Sequence, residues 1–191
     1  MPKPGKRDEI VTAAIRILAR DGEGGLTASV LAREAGVSKA NLFHHFASLD
    51  DIVLEAFEAY LLGMEGMTPP PGGSLQDWLS ALGAETQDQV AGDERLAGAY
   101  FAFAARAQTD PRIRKRLTEI AEAAEERFRL AITQLAPGRF DEKETAALAA
   151  LILMAGDGLA LHRQLFPERA KHQAAGWQML IECIGNKEKR Q

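Results

Sequence analysis

The sequence predicts an all-α protein of about nine helices. Apolar residues recur at spacings of three and four in one segment after another, which places them on one face of a helix. No stretch sustains the alternation of β-branched and aromatic residues that is typical of strands. Residues that cap or stop helices separate the periodic segments, and 46% hydrophobic residues over 191 positions are enough for a sizeable core.

The first 66 residues divide into four helices. Their boundaries are residues that commonly cap or end helices: Asp21-Gly22 closes the first helix, Thr27 and Gly36 bound the second, and Ser38 and Ser48 cap the third and fourth. Asp50 and Asp51 fall in the first turn of the fourth helix, where the helix dipole favours negative charge.

Residues 68–73 are rich in proline and glycine and form the clearest linker of the chain. Five further helices are predicted beyond it. Four of them have a start signal, which is in turn Ser74 with Asp77, Asp93, Asp110-Pro111, and Asp141 with Glu144. The last helix is predicted from an apolar set of Trp177, Leu180, Ile181 and Ile184. We therefore predict a DNA-binding domain over residues 1–50 and a larger helical domain over residues 51–191.

Residues 27–46 have the spacing of a helix-turn-helix, in which the second helix lies in the major groove of DNA. Gly36 suits the tight turn because it can adopt a positive φ. The second helix would expose side chains that can face DNA: Lys39, Ala40, Asn41, His44 and His45. Spacing alone leaves an ordinary helical hairpin as an equal alternative.

A longer pattern strengthens the DNA-binding interpretation. It consists of Arg7-x-x-Ile10-x-x-Ala13-Ala14-x-x-x-Leu18-x-x-x-Gly22, then Leu26-Thr27, then Leu31-Ala32-x-x-Ala35-Gly36-Val37-Ser38-Lys39-Ala40-Asn41-Leu42-Phe43-His44-His45-Phe46. Over residues 7–57 this pattern resembles the signature of the tetracycline-repressor (TetR) family. The resemblance implies an all-helical homodimer that binds operator DNA and whose larger domain binds a small-molecule effector and dimerises.

The resemblance also implies roles for individual residues. Thr27, Ser38, Phe43 and His45 match positions that contact phosphates in that family, Lys39, Ala40 and His44 match positions near base edges, and Asn41 lies between the two sets. Two positions depart from the pattern, because Phe43 replaces a usual tyrosine and Leu49 a usual lysine. We expect a weaker electrostatic component of DNA binding, partly offset by Lys3, Lys6 and Arg7.

The effector site is predicted less sharply. Eight residues of the middle helices are candidates to line an apolar cavity with a few polar groups: Trp78, Leu82, Tyr100, Phe103, Arg106, Phe128, Met154 and Asp157. For any one of the apolar residues an ordinary place in the core is the simpler interpretation, and Asp157 could equally have a structural role beside Gly156 and Gly158.

Composition bounds the remaining expectations. Residues 1–48 hold seven basic and five acidic residues, a net charge of +2, so the chain total of −4 leaves −6 for the rest. This asymmetry suits a head that faces DNA. The lone Cys183 excludes an internal disulfide and suggests a reducing, cytoplasmic environment. We expect Cys183 to be a buried, inert thiol, a homodimer through the last two helices, no contact with a membrane, and release of a palindromic operator on effector binding.

Two other classes of protein were considered. An enzyme is disfavoured because no motif for phosphate, nucleophile or metal chemistry occurs, so we expect no catalytic residue, no metal site and no cofactor. The other alternative is a protein of the same fold that acts through a protein partner without binding an operator. The replacements at Phe43 and Leu49 give this alternative some support.

Overall fold

A computed structural model describes residues 5–63, 68–92 and 94–186. Within these ranges the chain forms nine α-helices and no strand, which confirms the all-α prediction. The helices are α1 (Lys6–Asp21), α2 (Ala28–Glu34), α3 (Lys39–His45), α4 (Leu49–Gly63), α5 (Leu75–Gly92), α6 (Glu94–Arg106), α7 (Pro111–Leu135), α8 (Glu142–Leu165) and α9 (Ala170–Asn186). The start predicted at Asp93 lies outside the described residues.

Side-chain caps at the predicted positions begin the helices of the N-terminal part. The Thr27 hydroxyl accepts a hydrogen bond from the Val30 amide at 3.3 Å, and the Ser38 hydroxyl accepts one from the Asn41 amide at 3.1 Å. Because α2 and α3 have only seven residues each, they lack the length at which helices are stable alone, and their caps and packing must hold them.

The later helices also begin at predicted caps. Asp141 and Glu144 form a reciprocal capping box, with N···O distances of 2.8 and 3.1 Å. The Ser74 hydroxyl accepts from the Asp77 amide at 3.1 Å, while the Asp77 carboxylate accepts from the Ser74 amide at 2.9 Å. These contacts confirm that short-range hydrogen bonding sets where the helices start.

The described residues form two compact units. The first comprises residues within Met1–Leu62 and Asp93–Ile120, and the second comprises residues within Gly63–Gly92 and Ala121–Gln191. Helix α7 therefore contributes its first turns to one unit and the remainder to the other. The first unit joins the N-terminal helices α1 to α4 to a later part of the chain, α6 and the start of α7.

The first unit has a continuous apolar core. Its members come from every helix of the unit and include Ile17, Leu31, Leu42, Phe57 and Phe103, all almost fully buried. Helix α6 packs along α1, so that residues far apart in sequence share one core. Burial on this scale holds the short α2 and α3 in place.

Two tryptophans organise the second unit. Trp78 of α5 is fully buried and meets the ring of Phe128 edge-on, with centroids 5.8 Å apart. Trp177 of α9 donates its indole N–H to the backbone carbonyl of Leu79 at 2.8 Å. The ring of Trp177 lies directly against Gly83, and this close approach fixes α9 on α5.

Helix α8 carries more apolar surface than the sequence suggested. In the described part of the chain it alone is long and apolar enough to cross a membrane, by length and composition only. Asp157 interrupts its apolar run, but the mean hydropathy of the helix remains high. The core face of α8 packs on α5 and α9, and much of its other surface is uncovered within one chain.

Candidate nucleic-acid interface

The turn between α2 and α3 has the geometry of a helix-turn-helix. Gly36 adopts φ = +64°, a conformation that side chains with a Cβ rarely take. The Val37 amide donates back to the carbonyl of Ala32 at 2.9 Å, and the Gly36 amide donates to Arg33 at 3.3 Å. These bonds close α2 with a left-handed glycine cap and redirect the chain into α3.

Helix α3 separates a buried face from an exposed one. Leu42 is fully buried and Phe46, which follows the helix, is nearly so. All eight residues of the predicted DNA-binding set lie on the surface of this one unit, from the cap of α2 to the end of α3. Six are exposed and two are half-buried: Thr27, Ser38, Lys39, Ala40, Phe43 and His44, then Asn41 and His45.

The surface of α3 offers few formal positive charges. Lys39 stands in its first turn, and His44 and His45 meet edge-on with ring centroids 5.3 Å apart. The ring of Phe43 is 46% exposed, an unusual position for a side chain without a polar group. Leu49 is half-buried and packs against the core, so its side chain contributes to stability as well as replacing a charge.

Arg7 is placed differently from the expectation that it reaches towards DNA. Its guanidinium pairs with both carboxylate oxygens of Glu55, donates to the carbonyl of His45 at 2.8 Å, and lies 4.3 Å from the centre of the Phe46 ring. The sequence did not indicate these partners because they are 38 to 48 residues away. Lys6 pairs with Glu9, and Lys3 lies outside the described residues.

Three candidates for the effector site belong to the first unit. Phe57 meets both Phe103 and Tyr100 edge-on, at 5.5 and 5.7 Å between centroids, within the unit's core. Arg106, at the end of α6, forms ion pairs with Asp50 at 2.6 Å and with Glu23 at 3.2 Å. The hydrogen bonds that Arg106 donates to the Asp50 carboxylate are the main reason why the pKa of Arg106 is raised.

The other five candidates belong to the second unit. Trp78, Leu82 and Phe128 are buried there, and Asp157 is half-buried. Met154 is 64% exposed on α8 and does not line the interior of its unit. The structure thus brings Trp78 together with Phe128, and Tyr100 and Phe103 together around Phe57, but does not gather the eight residues within one unit.

Cys183 corrects one prediction. We expected a buried thiol, yet Cys183 is exposed on α9. The apolar residues of α9 lie on two sides of the helix, and Cys183 lies beside a groove of about 360 Å³ instead of on the core side. The groove is lined by Phe140, Glu144, Ala147, Leu148, Leu151, Leu180, Cys183 and Ile184.

Apolar side chains continue over the surface next to this groove. The large exposed ones on α8, on α9 and between them are Leu151, Met154, Leu165, Phe166 and Met179. Met179 is 65% exposed, although a side chain of this size normally gains stability from burial. Contiguous exposed apolar patches of this kind mark interaction sites on protein surfaces.

Two family models match the chain over successive regions. Residues 10–56 match the family described as bacterial regulatory proteins, tetR family. Residues 75–180 match the C-terminal domain described as BetI-type transcriptional repressor. The first match spans the helix-turn-helix, and the second covers more than half of the chain.

Relatives and solved structures agree with these matches. The HTH-type transcriptional regulator BetI of Rhizobium meliloti (strain 1021) is 27% identical over 179 residues, covering 86% of this chain and 83% of its own. A transcriptional regulator from Rhodococcus sp. Rha1 is 25% identical, with a TM-score of 0.69 over 94% of this chain and 96% of that one. A regulator from Saccharomonospora viridis, solved in complex with choline, shares the fold at 20% identity, a TM-score of 0.61 and coverage of 92% and 95%.

Proposed function

Because the chain belongs to the TetR family of bacterial regulatory proteins, we propose that this transcriptional regulator is a BetI-like repressor that binds a palindromic operator as a homodimer and leaves it when a small molecule binds. The family membership itself makes it a regulator and not an enzyme. Beyond family membership, we propose that the protein binds a specific operator, forms a dimer, responds to a small-molecule effector, and works in the cytoplasm without contacting a membrane.

The observation that carries operator binding is the surface of α3. A capped helix presents Lys39, Ala40 and His44 in exposed positions, with the hydroxyl of Ser38 as its N-terminal cap. The small Ala40 lets the helix approach base edges, and Lys39 can donate to guanine O6 or N7. The eight proposed DNA-binding residues are Thr27, Ser38, Lys39, Ala40, Asn41, Phe43, His44 and His45.

Selection of bound sequences from a random duplex library tests this part of the proposal. We expect a palindromic winner, because a two-fold dimer offers two α3 helices to successive major-groove faces. Lys39→Ala should weaken binding to the winner by about tenfold, as expected for a lost base contact. Lys143→Ala, which removes an exposed lysine of the other unit, is the matched control and should leave it unchanged.

The dimer is supported by the exposed apolar residues of α8 and α9. We propose that two copies cover these surfaces in a four-helix interface, which also explains the hydropathy of α8 without a membrane. Met179→Glu should then give a monomer in sedimentation at micromolar concentration. Leu130→Glu is a matched control on α7, since Leu130 is also highly exposed, and this variant should stay dimeric.

The effector is proposed to bind within the second unit, with Trp78, Leu82, Phe128 and Asp157 as candidate contacts. Tyr100, Phe103 and Arg106 instead belong to the first unit, and Met154 is exposed on α8. Choline is the first probe, because a protein of the same fold was solved with it. Aromatic rings such as those of Trp78 and Phe128 attract quaternary ammonium groups. Binding of choline that lowers operator affinity supports the release mechanism, and an unchanged affinity with choline bound contradicts it.

A second function, action through a protein partner without an operator, is favoured by the replacements at Phe43 and Leu49. The library selection separates the two functions. Enrichment of a duplex supports the operator, whereas equal weak binding to all duplexes supports the partner function.

A further inference from the structure

The guanidinium of Arg7 connects three helices of the first unit. Arg7 lies in the first turn of α1, and its guanidinium pairs with Glu55 of α4. The same group donates to the last carbonyl of α3, that of His45, at 2.8 Å. Its plane also lies 4.3 Å from the centre of the Phe46 ring. Three N–H groups and one face of a single side chain are therefore used in contacts within the protein.

The contact with His45 occurs at the weakest part of α3. The last carbonyls of any helix lack partners within the helix, and a cation near them is stabilising because the dipole is negative at this end. In a helix of only seven residues, these end groups are a large fraction of its backbone. Ser38 caps the start of α3, and Arg7 is the charged group at its other end.

We propose that Arg7 is a positioning residue for operator recognition: it fixes the end of α3 against α1 and α4, and it is not a phosphate ligand. This inference rests on the proposed operator binding. Only an arginine can fulfil the role, because its planar fork pairs with the Glu55 carboxylate while a third N–H reaches the carbonyl of His45. A lysine has the charge but not this geometry.

The variant Glu55→Gln separates positioning from phosphate binding because the two roles predict opposite signs. If Arg7 positions α3, loss of the Glu55 charge loosens the clamp and weakens binding to the selected duplex by about fivefold. If Arg7 binds phosphate, the same change frees it and strengthens binding. Glu9→Gln is the matched control, since Glu9 and Glu55 are similarly exposed, at 28% and 24%, and Glu9 pairs with Lys6 of its own helix instead of with Arg7.

The variant Arg7→Lys provides the second comparison. We expect binding to the selected duplex to fall by about tenfold, with an unchanged dependence on salt concentration and unchanged affinity for a random duplex. If Arg7 instead bound a phosphate, the lysine would keep that charged contact, and both the affinity and the slope of log K against log salt would stay the same. Because Arg7→Lys retains the charge, full affinity in this variant would overturn the proposal.

The outcomes distinguish the inference from the function on which it rests. If the unmodified protein selects no duplex, operator binding fails, and recognition by Arg7 fails with it. If the unmodified protein selects a duplex and both variants bind it normally, only the inference is overturned. Hydrogen exchange of the α3 amides gives a readout without DNA: we expect faster exchange at the end of α3 in Arg7→Lys, and equal rates would contradict the clamp.

Discussion

Replacement of Gly83 by alanine should destabilise the protein, although alanine is the better helix former. A Cβ at this position would lie 2.6 Å from Cε2 of Trp177 and nearer still to Nε1 and Cδ1. The indole is a rigid ring, buried between α5 and α9 and held by its hydrogen bond to Leu79. Trp177 must therefore move, and the hydrogen bond must lengthen or break.

The magnitude follows from three contributions. Overpacking of a core costs about 1–3 kcal/mol. A broken buried hydrogen bond adds about 1 kcal/mol. The better helix propensity of alanine returns about 1 kcal/mol. The net loss of about 2 kcal/mol corresponds to a Tm lower by roughly 4–8 °C in a chain of this size.

Calorimetry at one fixed protomer concentration measures the effect without interference from association. Gly176→Ala is the matched control, because Gly176 lies inside α9 and the added Cβ would meet no other described part of the chain within 4 Å beyond its own stretch of helix. This variant should be neutral or slightly stabilising. In a Trp177→Phe background the smaller ring leaves room, and Gly83→Ala should cost much less. A Gly83→Ala protein as stable as the unmodified one would refute the proposed packing of α9 on α5.

Three further predictions concern the surface and the ion pairs. Phe43→Tyr should raise affinity for the selected duplex by about tenfold, because it adds a phenolic donor to an exposed ring that can reach a charged phosphate; an unchanged affinity in filter binding would rule out that contact. Asp50→Asn should cost no more than about 1 kcal/mol of stability in urea titrations, and less at high salt, because its ion pair with Arg106 is partly exposed; a loss of several kcal/mol would contradict this. The pKa of Asp77 lies below its ordinary value of 3.8 because Ser74 donates hydrogen bonds to the carboxylate, so this stabilisation is present above that value and is lost as the pH falls through the lower, folded-state pKa. Asp77→Asn should therefore be less stable than the unmodified chain at pH 6 and approach its stability as the pH falls well below 3.8. A stability difference independent of pH would oppose the assignment.

Local chemistry explains why much of the fold could be predicted. The caps at Thr27, Ser38 and Asp141 and the glycine turn at Gly36 depend on residues at most five positions apart. Such signals are complete within a short stretch of sequence. The exposed face of α3 followed from the same stretch, because the buried Leu42 within the helix and the buried Phe46 just after it fix its rotation.

Other features depend on contacts between distant segments and could not be predicted. Arg7 and Arg106 were interpreted as groups open to DNA or an effector, but their carboxylate partners lie 48 and 56 residues away. Cys183 was assigned to the core because α9 has apolar residues on two sides, and the sequence alone does not identify which side faces α5. A resemblance could identify the fold but not these pairings.

The shared core of the first unit limits how the chain can be divided in the laboratory. A fragment that stops at residue 62 would leave α1 without Leu96, Ala99 and Phe103, which bury its apolar side. Such a fragment would expose the apolar side of α1 to solvent, and we expect it to aggregate or to unfold. A chimera that joins the first unit to a different effector-binding domain must therefore also include α6 and the first turns of α7. Such a chimera has three junctions, near residues 62, 93 and 120, instead of one.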